Sequence, residues 1–173
     1  MPTKPLVNRV AASGIITLNP EQFAPTVPVA VFDLKDYLFR GLVLREKEFR
    51  AALRDHDWDQ YLGKDVIVTC STDAIVPLWA PMLVAVYLAP KAVCVFQGTE
   101  REYLREHYRV EILKMETEQY RDRLVVVKGC GEDTVPPNAY VQLAARLQPV
   151  VKSLMFGEPC STVPLFKKRK PKS

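Results

Sequence analysis

The sequence has no glycine-rich phosphate cradle. Neither Gly-x-x-x-x-Gly-Lys-Ser/Thr nor Gly-x-Gly-x-x-Gly occurs among its 7 glycines, which argues against nucleotide binding through a loop of backbone amides. It also lacks His-Glu-x-x-His and Gly-x-Ser-x-Gly, so the common zinc-protease and α/β-hydrolase chemistries are excluded. Cys-x-x-Cys pairs are missing, and with them the zinc ribbon. No apolar run approaches the roughly 20 residues that span a bilayer. The longest, Leu78 to Ala89, is twelve residues interrupted by Pro81. The opening Met1-Pro2-Thr3-Lys4-Pro5 is polar with no signal-peptide run behind it, so the expectation is a soluble, unexported, cytoplasmic protein.

A basic face is missing as well. The net charge is +4, but Lys167, Lys168, Arg169, Lys170 and Lys172 carry five positive charges, which leaves −1 for everything before them. A nucleic-acid reader spreads its basic residues over a face of the fold, so no specific nucleic-acid partner is expected and the excess reads as a solvated tail. What is present is a chain of 173 residues, 48% hydrophobic, enough for one respectable core. The organisation expected is a flexible start over 1–6, one α/β domain over 7–166 and a basic flexible tail over 167–173.

Short β-rich runs at Val29 to Leu34, Val66 to Cys70, Ala92 to Phe96, Leu124 to Lys128 and Ser153 to Phe156 predict strands. Between them, Leu44 to Asp55, Val76 to Leu88, Arg101 to Met115 and Pro137 to Leu147 have helical spacing. Val7 to Leu18 reads as a short helix or strand laid along the sheet. Strands alternating with helices predict an α/β fold in three layers around a mostly parallel sheet.

An internal repeat runs at an offset of 59 residues. Asp59-Gln60-Tyr61 stands over Glu118-Gln119-Tyr120, Val76-Pro77 over Val135-Pro136, Pro90 over Pro149, and Phe49-Arg50 over Tyr108-Arg109. Two duplicated β-α-β halves, at about 45–98 and 104–157, follow from it.

Three of the 4 cysteines fall where strands run out, which in open α/β sheets is where ligands bind. Cys70 ends "VIVTC", Cys130 follows "VVVKG" and Cys160 follows "SLMFGEP", whereas Cys94, inside "AVCVF", reads as a buried core thiol. Cytoplasmic thiols are kept reduced, so the cysteines are core filler, redox thiols or metal ligands. Cys70 and Cys130 each lead to a proline, Pro77 or Pro136, at the expected first turn of a helix, whose dipole favours thiolate. Asp73 and Asp133 read first as caps of those helices and second as metal ligands or proton acceptors. The two prolines of "GEPCSTVP" put Cys160 in a stiffened loop.

Three thiolates with a fourth position left open, or taken by a carboxylate or histidine, suit tetrahedral zinc or an iron–sulfur cluster. Asp33, which ends "VAVFD", should face the same crevice, with capping of the segment after it as the plainer reading. His56, in "RDHDWDQY", is a candidate fourth ligand but precedes its strand and reads as a surface or helix-terminal residue. His107, mid-helix among charges, reads as solvent-facing.

The stretches "VNRVAASGIITL", "FDLKDYLFRGLVLREKEFR", "HDWDQY", "CSTDAIVPLWAPML", "KGC" and "PVVKSLMFGEPCSTVPLFKK" resemble an uncharacterised bacterial family, domain of unknown function 2480, from about Val7 to Lys168. The resemblance implies no assigned reaction. It does imply iron–sulfur assembly proteins as partners. The reading is a metal-, iron–sulfur- or sulfur-handling accessory protein using Cys70, Cys130 and Cys160, with Asp33, His56, Asp73 and Asp133 as additional candidates. Two alternatives stand beside it: a small cysteine-dependent enzyme, and an interaction scaffold with structural cysteines, which includes a homodimer. Whether the chain is an enzyme stays open.

Overall fold

Apolar runs too short for a helix form strands, and each stretch of 3.6-residue periodicity forms a helix, in the computed structural model that describes residues 14–129, 135–158 and 161–169. In chain order the strands are β1 (Ile15–Leu18), β2 (Val29–Asp33), β3 (Leu38–Phe39), β4 (Val43–Leu44), β5 (Asp65–Thr69), β6 (Cys94–Gln97), β7 (Leu124–Val127), β8 (Ser153–Glu158) and β9 (Ser161–Lys167). The helices are α1 (Glu46–Asp55), α2 (Trp79–Leu88), α3 (Glu100–Lys114) and α4 (Pro137–Leu147). The class is mixed α/β with largely parallel pairing. The chain divides into a central unit, Pro25–Glu106, and a flanking unit, Met1–Ala24 with His107–Ser173.

The parallel sheet is present as two sheets. In the central unit β2, β5 and β6 pair in parallel, in that order, with Asp33 beside Thr69 and Asp65 beside Cys94. Both crossovers step the same way across this sheet, which places their helices on one face. Phe49 and Leu53 of α1 and Ala80, Val84 and Leu88 of α2 accordingly bury against Phe32, Val66 and Val68. The start of α3 packs on the opposite face, with Tyr103 edge-on to Phe96 at 5.8 Å. In the flanking unit the order is β1, β7, β8, β9, parallel except for the antiparallel β8–β9 pair. Its core joins Tyr108 and Ile112 of α3 to Ala139, Leu143 and Leu147 of α4 and to Val125, Val127 and Leu154 of the sheet.

Positions 59 residues apart take corresponding places in the two units. Phe49 and Tyr108, Leu53 and Ile112, Tyr61 and Tyr120, Ala80 and Ala139, Val84 and Leu143, and Leu88 and Leu147 are all buried. The turns before the central strands match too: Leu62 and Arg121 share φ −59°, ψ 126°, and each is followed by a residue at positive φ, Gly63 at 71° and Asp122 at 54°. Gly63 N–H donates to the Lys91 carbonyl at 3.2 Å, as Asp122 N–H does to that of Val150 at 2.9 Å. This type II turn needs its third residue in the left-handed region, which glycine adopts without strain.

Three sequence expectations change. Of the segment Val7 to Leu18, Ile15–Leu18 is a strand paired to β7, and residues 7–13 lie outside the described residues. Ser161–Lys167, read as loop and tail, is a strand because Val163 and Phe166 lie beside Phe156 and Leu154 of β8. α2 begins at Trp79 with Leu78 as its cap residue, so Pro77 precedes the helix instead of opening it, and Pro136 is the cap residue of α4, whose first position is taken by Pro137.

Candidate functional site at the carboxyl edge of the central sheet

β2 and β5 end together at Asp33 and Thr69, and the residues that follow Thr69 carry the one candidate thiol among the described residues of the proposed three. Cys70 is half-buried against the aromatic and aliphatic core beneath α2, and its Sγ is 3.4 Å from Thr72 Oγ1. Asp33 Oδ1 accepts hydrogen bonds from Lys35 N–H, as cap of the short 3-10 segment Leu34–Tyr37, and from Ser71 N–H, both at 3.0 Å. Its other oxygen meets Lys35 Nζ at 3.3 Å. Burial pushes the Asp33 carboxyl up, but the hydrogen bonds from Ser71 and Lys35 outweigh it and hold the group at about 2. An ionised carboxylate therefore fastens the backbone next to Cys70. Of the two readings posed for Asp33, capping is the one the hydrogen bonds show.

Asp73 is exposed and lies five residues before Leu78, the cap residue of α2, which has no side-chain cap. Its capping role is thereby corrected: the loop after Cys70 first runs past β4, where Ile75 bridges Val43, before the helix starts. Cys130, Asp133 and Cys160 lie outside the described residues. Among the described residues no three of histidine, cysteine, aspartate and glutamate stand together as a group able to hold a metal ion.

His56 is the residue that ends α1, as read from the sequence, and both ring nitrogens are engaged. Gln60 Nε2, which donates to the Asp57 carbonyl at 2.6 Å, also faces His56 Nε2 at 3.3 Å. Nε2 therefore accepts, and the ring proton sits on Nδ1, which faces Tyr37 Oη at 3.1 Å. The ring lies among Phe32, Trp58 and Tyr61, and this burial lowers its pKa, with Asp57 opposing. A histidine so held packs as a neutral aromatic group. His107 is half-buried with its ring edge-on to Tyr108 at 6.4 Å, not solvent-facing, because the charged residues around it on α3 share a helix with buried Tyr103, Tyr108 and Ile112.

Cys94 is corrected outright. It is exposed, as the first residue of a strand that, among the described residues, has a neighbour on one side only. Partial desolvation and the Asp65 carboxylate beside it push its thiol up. Asp65 itself is buried at 5% exposure, where Tyr103 Oη donates to its Oδ2 at 2.5 Å.

Between α2 and β6 lies an open groove of about 360 Å³ lined by Val68, Leu78, Pro81, Met82, Ala85, Val95 and Gln97. The sequence marks this helix, with Trp79, Met82, Leu83, Val86 and Tyr87, as apolar around much of its circumference, a pattern more usual for a central core helix than for a dimer face. The signal was available in the repeat. At the 59-residue offset Pro81 and Gln97 stand over Tyr140 and Phe156, two small or polar residues against two aromatic rings. In the flanking unit those rings meet edge to face at 5.7 Å, and a methyl group added to Gly129, the counterpart of Cys70, would overlap Phe156. The central unit has Pro81, Gln97 and Cys70 at these positions, with an open groove beside them.

A family model described as protein of unknown function DUF2480 matches residues 4–168. The chain belongs to this family. Neither a curated protein nor a solved structure matches it. The family description carries no activity, so the chemistry has to be argued from the edge itself. No helix among the described residues is long and apolar enough to cross a membrane.

Proposed function

We propose that this chain is a binding or accessory protein that handles sulfur or a thiophilic metal through Cys70. The observation that carries the proposal is the hydrogen bond from Ser71 N–H to Asp33, which fixes the backbone beside that thiol at the carboxyl edge of a parallel sheet. A cysteine enzyme is the weaker reading, because the nucleophile needs a base and His56 is committed to Tyr37 and Gln60. Zinc or an iron–sulfur cluster and iron–sulfur assembly partners belong to the same proposal. The recurrence of buried positions at the 59-residue spacing supports reading the two units as one duplicated β-α-β frame.

The test is to measure metal, acid-labile sulfide and sulfane sulfur on anaerobically purified protein, on Cys70→Ser, and on the variant with Ser at 70, 130 and 160. Content that falls in Cys70→Ser supports the proposal. Negligible content of all three in the wild-type protein removes it.

A second reading, an interaction module with packed cysteines, is favoured by the groove. Cys70 packs on the core, and Leu78, Met82 and Val86 are exposed along the adjoining helix.

A further inference from the structure

α2 reads Trp-Ala-Pro-Met-Leu-Val-Ala-Val-Tyr-Leu, ten residues without a charged side chain. A helix apolar all round expects cover on every side. The core covers Ala80, Val84 and Leu88, but Leu78, Met82 and Val86, on the 4-residue spacing, are 84%, 68% and 70% exposed. Leu78 and Met82 turn toward β6, where they line the groove with Val95 and Gln97. β6 is an edge: among the described residues its outer side pairs with no strand. Edge strands are normally blunted by lysine, proline or a bulge. β9, the corresponding edge of the other sheet, has Pro164, Lys167 and a register shift in its pairing with β8, whereas β6, Cys-Val-Phe-Gln, has none of these devices.

The flanking unit shows what covers such an edge. β8, the counterpart of β6, takes β9 antiparallel; Phe166 lies beside Leu154 and packs on the core, and Ser153, the counterpart of Cys94, donates to the Phe166 carbonyl at 3.1 Å and is 8% exposed. Cys94 stays exposed for want of that neighbour.

We infer that the outer edge of β6 and the Leu78–Met82 side of α2 form the contact between two copies of this chain, related by a twofold axis that pairs β6 antiparallel with itself. Charge selects a second copy as the occupant. At a twofold axis a residue meets its own copy, so like charges there repel, and a self-matching patch is best free of charge at its centre. Neither α2 nor β6 carries a charge. The exposed edge of β2 ends instead on the charged pair Asp33 and Lys35. The inference does not rest on the thiol reading, and Cys70→Ser leaves the contact intact.

Sedimentation of the full chain over a concentration series tests it. The wild type is expected as a reversible dimer. Met82→Glu, at an exposed position, weakens self-association by roughly tenfold or more with an unchanged circular dichroism spectrum, while Val31→Lys on the β2 edge leaves it unchanged. Alkylation of Cys94, with Cys70 as internal reference, slows as the dimer fills and recovers in Met82→Glu. A monomer at every concentration overturns the inference, as does a dimer indifferent to Met82→Glu or one loosened by Val31→Lys. A monomer whose groove takes up a synthetic peptide with the β9 sequence also overturns it, by assigning the edge to an extended partner strand.

Discussion

The shoulder between the second helix and the third parallel strand is filled in the flanking unit and open in the central one, although the two are framed by corresponding buried residues. In the flanking unit Tyr140 and Phe156 meet over Gly129, and β9 adds Phe166 alongside. In the central unit Pro81, Gln97 and Cys70 occupy those three places, and no described strand pairs with the outer side of β6. The frame sets where a site can be, and a handful of side-chain volumes decides whether it is one. Buried positions such as Val84 and Leu143 can exchange one aliphatic for another because close packing asks only for volume and shape. The shoulder differs because, where no ring stands, space is left that nothing in the frame collapses to fill.

The largest way to disturb the comparison lies at the amino end of the central strands, where buried Asp65 stands in place of Leu124. Tyr103→Phe leaves the carboxylate without its donor and is expected to lower stability by about 3 kcal/mol. Adding Asp65→Leu, the residue of the other unit, should restore most of that loss. Denaturant titration of the two variants decides it; a Tyr103→Phe protein as stable as the wild type would show that the pair is not what holds this corner.

Next is the shoulder itself. Gly129→Ala forces the Phe156 ring aside and should cost about 2 kcal/mol. In Gly129→Ala with Phe156→Gln, which imports the central arrangement, the two changes should combine to less than their sum. Additive losses would mean that ring and glycine do not share the site.

Asp33→Ala removes the acceptor of two backbone N–H groups and should lower stability by about 2 kcal/mol. The pH dependence has a definite sign. The folded pKa, about 2, lies below the ordinary 3.8, so the contribution is complete above pH 3.8 and is lost as pH falls toward 2. Acid titration of wild type and variant should therefore converge over that interval, and curves that stay parallel through it would refute the assignment.

The smallest effect compares the two turns. Gly63→Ala, with open space around it but φ at 71°, should cost about 1 kcal/mol. Asp122→Gly should move stability the other way, since its left-handed backbone is the strained member of the pair. Thermal melts of both variants check the opposite signs.

Five strands and four helices were legible in the sequence because local periodicity follows from which face of an element is buried, and burial here is regular along each element. Asp33 was legible too, since a carboxylate ending a strand has few partners other than the turns beside it. The exposure of Cys94 was not legible: "AVCVF" is as apolar as "VVVKG", and only the strand order makes one an edge and the other a centre. Nor was β9, because Ser161–Lys167 is a weak strand by composition, with Pro164 inside it, and is held by its pairing with β8.

By itself the sequence determined the α/β class, five of the strands, the four helices and the 59-residue correspondence, all of which depend on residues near one another in the chain or on matching letters. The tertiary structure alone decided that the parallel strands fall into two sheets, that β6 is an edge among the described residues, and that Pro81 and Gln97 line a groove beside it. Those outcomes depend on which non-local neighbour an element acquires, and a strand's own residues do not encode the absence of one.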